Sequence, residues 1–137
     1  VARHGVPLAR ATEQRLIAES TLAGKSLLRM IANAKTAGFQ IKLKFVFVDS
    51  EETSLIRVKQ RVDRGGHDVP EEDVRRRFSR SLVNFWTKYR LLADDWLLIY
   101  NSSNGPLEVA YGVDDLLTVY REELYARFQQ IIKRHEP

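Results

Sequence analysis

Apolar positions in this chain follow two different periods. From Gln40 to Val48 (QIKLKFVFV) they alternate, so that Ile41, Leu43, Phe45 and Phe47 share one face of a strand. Lys42 and Lys44 interleave with them, and Val46 and Val48 then make the second face apolar too. A strand apolar on both sides is expected at the centre of a covered sheet. The apolar runs Arg15 to Thr21 and Asp95 to Tyr100 predict two more buried strands. Leu107 to Tyr111 predicts a short last one after the Asn104-Gly105-Pro106 turn.

Elsewhere the spacing is helical. Leu27, Leu28, Met30, Ile31 and Ala34 predict a helix that opens at Gly24 and stops at Gly38. Asp49, with Glu52 three residues on, predicts a capped helix through Leu55, Ile56, Val58 and Val62, ended by Gly65-Gly66. Pro70 suits the first position of the next helix, and the three acids after it suit the positive end of the helix dipole. Val74, Phe78, Leu82, Phe85 and Tyr89 form its core stripe. Asp114 is expected to cap a final helix carrying Leu116, Leu117, Tyr120, Leu124, Phe128 and Ile131. Strands separated by helices predict an α/β chain with a mostly parallel sheet. Ligands bind such sheets at the carboxyl ends of the strands, here Glu19–Thr21, Asp49–Ser50 and Asn101–Ser103.

Composition narrows the picture. At 137 residues, with 44% hydrophobic and 29% charged positions, the chain reads as one globular domain over residues 1–137. It has no apolar run near the roughly 18 residues of a membrane span, so no membrane partner is expected. Cysteine is absent, which excludes disulfides, thiolate nucleophiles and Cys-based zinc sites. No signal-peptide pattern opens the sequence, and a cytoplasmic location is expected. The chain begins at Val1, which reads as the edge of a cut.

The net charge of +4 is uneven. Up to Val48 there are 8 basic and 2 acidic residues; from Asp49 onward there are 14 and 16. The densest basic cluster, Arg75, Arg76, Arg77 and Arg80, directly follows Glu71, Glu72 and Asp73. A stripe that binds duplex nucleic acid rarely carries such acids beside it, so a nucleic-acid partner is not the favoured reading.

Ala23-Gly24-Lys25-Ser26 looks like the end of a phosphate-binding P-loop. The full pattern needs a glycine five residues before that Gly24, so that backbone N–H groups can wrap phosphates. Glu19 stands there instead, and its carboxylate would repel a phosphate. The favoured reading is a helix start with a lysine in its first turn.

Three stretches carry a resemblance. The first is Arg57-Val58-Lys59-Gln60-Arg61-Val62-Asp63-Arg64-Gly65-Gly66-His67-Asp68-Val69-Pro70, running into Arg75-Arg76-Arg77-Phe78. The second is Glu19-Ser20-Thr21-Leu22-Ala23-Gly24, and the third runs from Asn84-Phe85 to Asp95-Trp96 and on to Tyr100-Asn101-Ser102-Ser103. Together they resemble the zeta-toxin-like family of P-loop kinases, over about residues 16–111. The resemblance implies a partial P-loop kinase-like three-layer fold with flanking helices and a helical lid at about residues 57–80. On that reading the chain is the C-terminal two thirds of the domain.

The resemblance also implies an ATP-dependent phosphotransferase using Mg, with a small molecule or nucleotide sugar as acceptor, and a setting in toxin–antitoxin systems. Residue by residue, it places Glu19 and Thr21 at the substrate, and Arg61, Arg76 and Arg77 over the triphosphate as catalytic groups. Asn101 and Ser103 fall at the nucleotide. Two departures stand out. The family's G-P-N-G-A-G-K-S/T loop and the acid that follows it are missing from these 137 residues. The family's Tyr-Asp-Asn-Ser reads Tyr100-Asn101-Ser102-Ser103 here, without the acid. On both counts the chain is expected to be inactive alone.

Each candidate has a bland alternative. On a helical wheel Arg75 and Arg77 flank the core stripe, while Arg76 and Arg80 point away, so geometry favours Arg77 over Arg76. A solvated basic face pairing with Glu71–Asp73 is the alternative for all four. Arg61 can equally be an exposed helix residue, and Glu19 an acid near a helix cap. No second histidine or acid stands at ligand spacing from His67, so no metal site is expected, and His67 reads as closing the Gly65-Gly66 turn. Two further classes stay open beside the kinase: a non-catalytic module that pairs with another copy through an exposed sheet edge, and a nucleic-acid binder using the basic first 48 residues.

Overall fold

The computed structural model describes residues 6–9, 14–17, 22 and 25–136. Strands β1 (Val6–Ala9) and β2 (Gln14–Ile17) pair antiparallel as a separate two-stranded sheet. The first strand expected from the sequence therefore runs Gln14–Ile17 and does not join the main sheet. Residues 18–21 of that expectation lie outside the described residues.

The main sheet has the order β3-β4-β5-β6, from β3 (Lys42–Phe47), β4 (Asp95–Ser102), β5 (Gly105–Val113) and β6 (Leu116–Val119). Among the described residues only β3 and β4 are parallel. The mostly parallel sheet expected from the sequence is corrected by the turns: Ser103–Asn104 and Asp114–Asp115 each join neighbouring strands. Connections this short can only reverse the chain, so β4, β5 and β6 form an antiparallel meander. Asp94 clamps the parallel pair by accepting from the Ile41 amide at 2.6 Å and donating its own amide to the Ile41 carbonyl at 2.8 Å.

Three expectations about these strands change. Strand β3 is an edge of the sheet and not its centre. Leu116 and Leu117 belong to β6 and are exposed, as is Tyr120, so none of the three is a helical core residue. Asp114 sits in the β5–β6 turn at φ +53°, and the last helix, α5, runs Glu122–His135.

Helix α1 (Ser26–Thr36) starts just after exposed Lys25, as the helix-start reading of that lysine required. Helix α2 (Glu51–Asp63) is capped by Ser50, whose Oγ accepts from the Thr53 amide at 3.1 Å; Asp49, the expected cap, lies one residue too early. Helix α3 (Glu71–Asn84) follows Pro70, which is the capping residue and not the first helical one. It continues through a π-helical turn, Phe85–Tyr89, into α4 (Arg90–Leu92), and Phe85 and Tyr89 stay fully buried across that wider turn.

One face of the sheet meets the helices. Strand register lines up Phe45 with Leu98 and Ala110, and these pack with Leu27 and Ile31 of α1, Leu82 of α3, Phe85, and Phe128 and Ile131 of α5. The rings of Phe45 and Phe85 stack at 4.5 Å with 6° between planes, and Phe128 meets Phe47 edge-on at 5.0 Å. Among the described residues the opposite face is open: Lys44 and Val46 are exposed there, with half-buried Leu97, Ile99 and Tyr111 beside them. The described residues thus show two layers where three were expected. No helix among them is long and apolar enough to cross a membrane.

Candidate functional site

The carboxyl ends of the parallel pair, β3 and β4, point to one region, where α2 begins and the β4–β5 turn sits. After Phe47 the chain leaves the sheet through Val48, Asp49 and Ser50. Asp49 Oδ1 accepts from the Thr53 hydroxyl at 3.2 Å, and its Oδ2 meets Arg127 Nη1 of α5 at 3.3 Å. The hydroxyls of Ser50 and Thr53 are 2.9 Å apart. From α2, Arg57 Nη2 donates to the Asn101 carbonyl at 3.0 Å, which ties the helix to the end of β4. Ser102 Oγ donates to the Gly105 carbonyl and accepts from the Asn104 amide, closing the turn that carries Ser103.

The arginines expected over a triphosphate separate into two kinds. Arg75 is half-buried and locked: it pairs with Glu71 at 2.8 Å, Glu51 at 2.9 Å and Glu52 at 3.8 Å. Those carboxylates raise its pKa, the Glu71 hydrogen bond most of all. Arg76 pairs with Asp73 at 2.8 Å. For these two, the bland reading of local pairing with Glu71–Asp73 describes what the residues do. Arg61, Arg77 and Arg80 are exposed and make no ion pair or hydrogen bond through their side chains among the described residues.

No hydrogen bond or ion pair among the described residues ties Arg61 to the neighbourhood of Arg76 and Arg77. The Arg75–Glu51 bridge sets the start of α3 against the start of α2. Arg61 lies ten residues further along α2, about 15 Å at the α-helical rise. The loop between the helices turns back through three amides: Arg64 and Gly66 donate to the Arg61 carbonyl, and Gly65 to that of Val62. His67 is exposed and takes no part in closing this turn, contrary to the role expected of it.

Asn101 is half-buried and offers its carbonyl to Arg57; Ser103 is exposed at the turn. Glu19 and Thr21 lie outside the described residues. The sequence reading placed Asp49 at a ligand-facing strand end but gave no role to Arg57 or Arg127. Arg57 heads the same arginine-valine element as Arg61, one helical turn earlier, and was findable on that spacing. Arg127 stands 78 positions from Asp49, a separation that no local pattern reports.

Asp49 holds the Thr53 hydroxyl and Arg127, and Arg57 holds the Asn101 carbonyl, so these groups answer one another. They do not make a cation cage. The described residues hold no group of three or more His, Asp or Glu side chains able to bind a metal ion.

Comparison with known proteins adds one relative. No family model and no solved structure matches the chain. Over 60 residues it is 38% identical to a protein of Haemophilus influenzae (strain ATCC 51907 / DSM 11121 / KW20 / Rd) described as an uncharacterized protein. That stretch is 44% of this chain and 43% of the relative, so the similarity spans less than half of each.

Proposed function

We propose that the chain supplies the phosphate-handling arginines of a zeta-toxin-like, ATP-dependent phosphotransferase with a small-molecule or nucleotide-sugar acceptor. The observation that carries this is the division of labour on α2 and α3: Arg57, Arg75 and Arg76 hold neighbouring groups, while Arg61 and Arg77 stand unpaired among the described residues. In phosphoryl transfer the γ-phosphoryl group passes from ATP to an acceptor hydroxyl. ADP leaves, the hydroxyl proton is lost, and negative charge spreads over the transferring oxygens. Unpaired guanidinium groups aimed at that charge lower the barrier. Arg77 is favoured over Arg76, whose charge Asp73 already answers.

Titration of the 137-residue chain with ATP tests the proposal. Binding that weakens as salt rises, and about tenfold in Arg61→Ala or Arg77→Ala, is expected for loss of one charge-assisted contact. Affinity unchanged in both variants refutes it. No ATP turnover is expected from these residues alone, because they include no P-loop; arginine-dependent hydrolysis by them would overturn that part.

A second reading has its own observation. Strand β3 has no partner on its outer edge among the described residues, and Val46 is 53% exposed beside it. Unpaired strand edges template pairing with another chain. A mass that rises with concentration in size-exclusion light scattering supports association of copies, and a monomer at every concentration counts against it.

A further inference from the structure

The π-helical turn builds a second cluster of polar groups. Arg90 Nε donates to the Trp86 carbonyl at 2.9 Å, and the guanidinium carbon lies 3.8 Å from the centre of the Trp86 ring. Trp86 is held edge-on by Trp96 at 5.8 Å, Phe128 at 5.7 Å and Tyr125 at 6.3 Å. Helix α5 brings Tyr125 and Gln129 to the same place, one turn apart.

This cluster is rich in donors and holds no carboxylate among the described residues. Gln129 Nε2 is buried with no hydrogen-bond partner among the described residues. Arg90 is half-buried, yet no carboxylate among the described residues lies within ion-pair distance of it. A buried donor without an acceptor costs about 1–3 kcal/mol, and a partly desolvated guanidinium costs more, so such groups persist where something answers them. Burial lowers the Arg90 pKa; the one charged group that acts on it in the other direction is Tyr125 when ionised.

We infer that Arg90, Gln129 and Tyr125 form a binding site for a carboxylate, with the Trp86 indole beneath the guanidinium. The fit is chemical. A guanidinium whose Nε is already engaged still offers its two Nη groups, which match the two oxygens of a carboxylate. The Gln129 amide and the Tyr125 hydroxyl supply further donors, and Trp86 fixes the plane of the fork. Leu91, next to Arg90, is 67% exposed and gives the site an apolar rim. Tryptophan, tyrosine and arginine are also the residue types that dominate binding hot spots.

Intrinsic tryptophan fluorescence of the 137-residue chain reads the site directly, because Trp86 is its floor. One arm titrates sodium benzoate against neutral benzamide. The other titrates a capped Leu-Glu-Leu peptide against Leu-Gln-Leu. A saturable change with benzoate alone assigns the site to a free organic acid. A change with the glutamate peptide at tenfold or more lower concentration assigns it to an acidic side chain of a partner protein. Either supports the carboxylate site, provided the neutral probe is silent. Gln129→Leu removes the orphan amide and keeps its bulk; it is expected to melt no lower than wild type and to bind the responding probe about fivefold more weakly. Arg90→Lys keeps the charge but loses the fork, and is expected to weaken binding about tenfold. Silence from both acids, equal responses to acid and neutral probes, or unchanged binding in both variants overturns the site.

Discussion

Two adjacent glycines in the α2–α3 connection are required for different reasons. Gly65 sits at φ +90°, a left-handed conformation, with open space where a Cβ would go. Its need is conformational, and Gly65→Ala is expected to cost about 1–2 kcal/mol. Gly66 has an ordinary φ, but a Cβ there would lie 2.9 Å from the Arg61 carbonyl oxygen. That oxygen is backbone, and it already accepts from the Arg64 and Gly66 amides, so it cannot move without breaking the turn. Gly66→Ala is therefore expected to cost about 2–3 kcal/mol, the upper part of the overpacking range. Urea denaturation checks the order of the two, and a Gly66→Ala variant as stable as wild type contradicts the packing account. The same comparison bears on function. The double glycine shapes the end of the helix bearing Arg61 through that residue's own carbonyl.

Helix α3 was legible in the sequence because one physical demand sets it: Val74, Phe78, Leu82 and Phe85 must all reach one core, and all four are buried. The meander was not. Asp114-Asp115 before Leu116 and Leu117 has the look of a helix cap, since aspartate serves caps and turns through the same short polar side chain. Nothing local says that β5 needs a partner, and that need made Leu116–Val119 a strand. The site divides in the same way. The pairing of Arg75 with Glu71, four residues away, was legible; its second partner, Glu51, stands 24 residues away and was not. That bridge carries a prediction for the helix pair. Arg75 is partly exposed, so its ion pairs with α2 are screened by solvent and salt. Arg75→Ala is expected to lower the melting temperature slightly at low salt and to speed amide exchange in the first turns of α2 and α3. The difference from wild type is expected to vanish near about 1 M salt, where screening acts over about 3 Å. A deficit independent of salt would show that the side chain's packing holds the helices together and its charge does not.

For the molecule as a whole, the buried phenols make a test of how the core joins its layers. Tyr89 is fully buried below the π-helical turn and hydrogen-bonds the backbone of Leu28 in the first turn of α1. Helix α1 has no side-chain cap of its own, so this contact from α3's extension answers one of its otherwise open amides. Burial pushes the Tyr89 hydroxyl above its ordinary range, with the Leu28 contact opposing; burial acts on Tyr125 in the same direction. A phenol whose folded pKa is raised keeps its proton longer in the folded state than in the unfolded one. Its contribution is therefore fully present below the unfolded value of about 10 and is lost as pH rises through the folded value. The melting temperature is expected to hold steady up to about pH 9.5 and to fall beyond about pH 10. Tyr89→Phe separates this phenol from the other alkaline groups, because it keeps the ring and removes the proton. At about pH 8 the variant is expected to be less stable by roughly 1 kcal/mol, the value of one hydrogen bond at a helix start. Above about pH 10 its stability is expected to fall less steeply than wild type, so the two curves converge. Parallel curves across that range would mean that Tyr89 ionises as easily in the folded protein as in the unfolded chain, and that the phenol is not sealed between α1 and the π-helical turn.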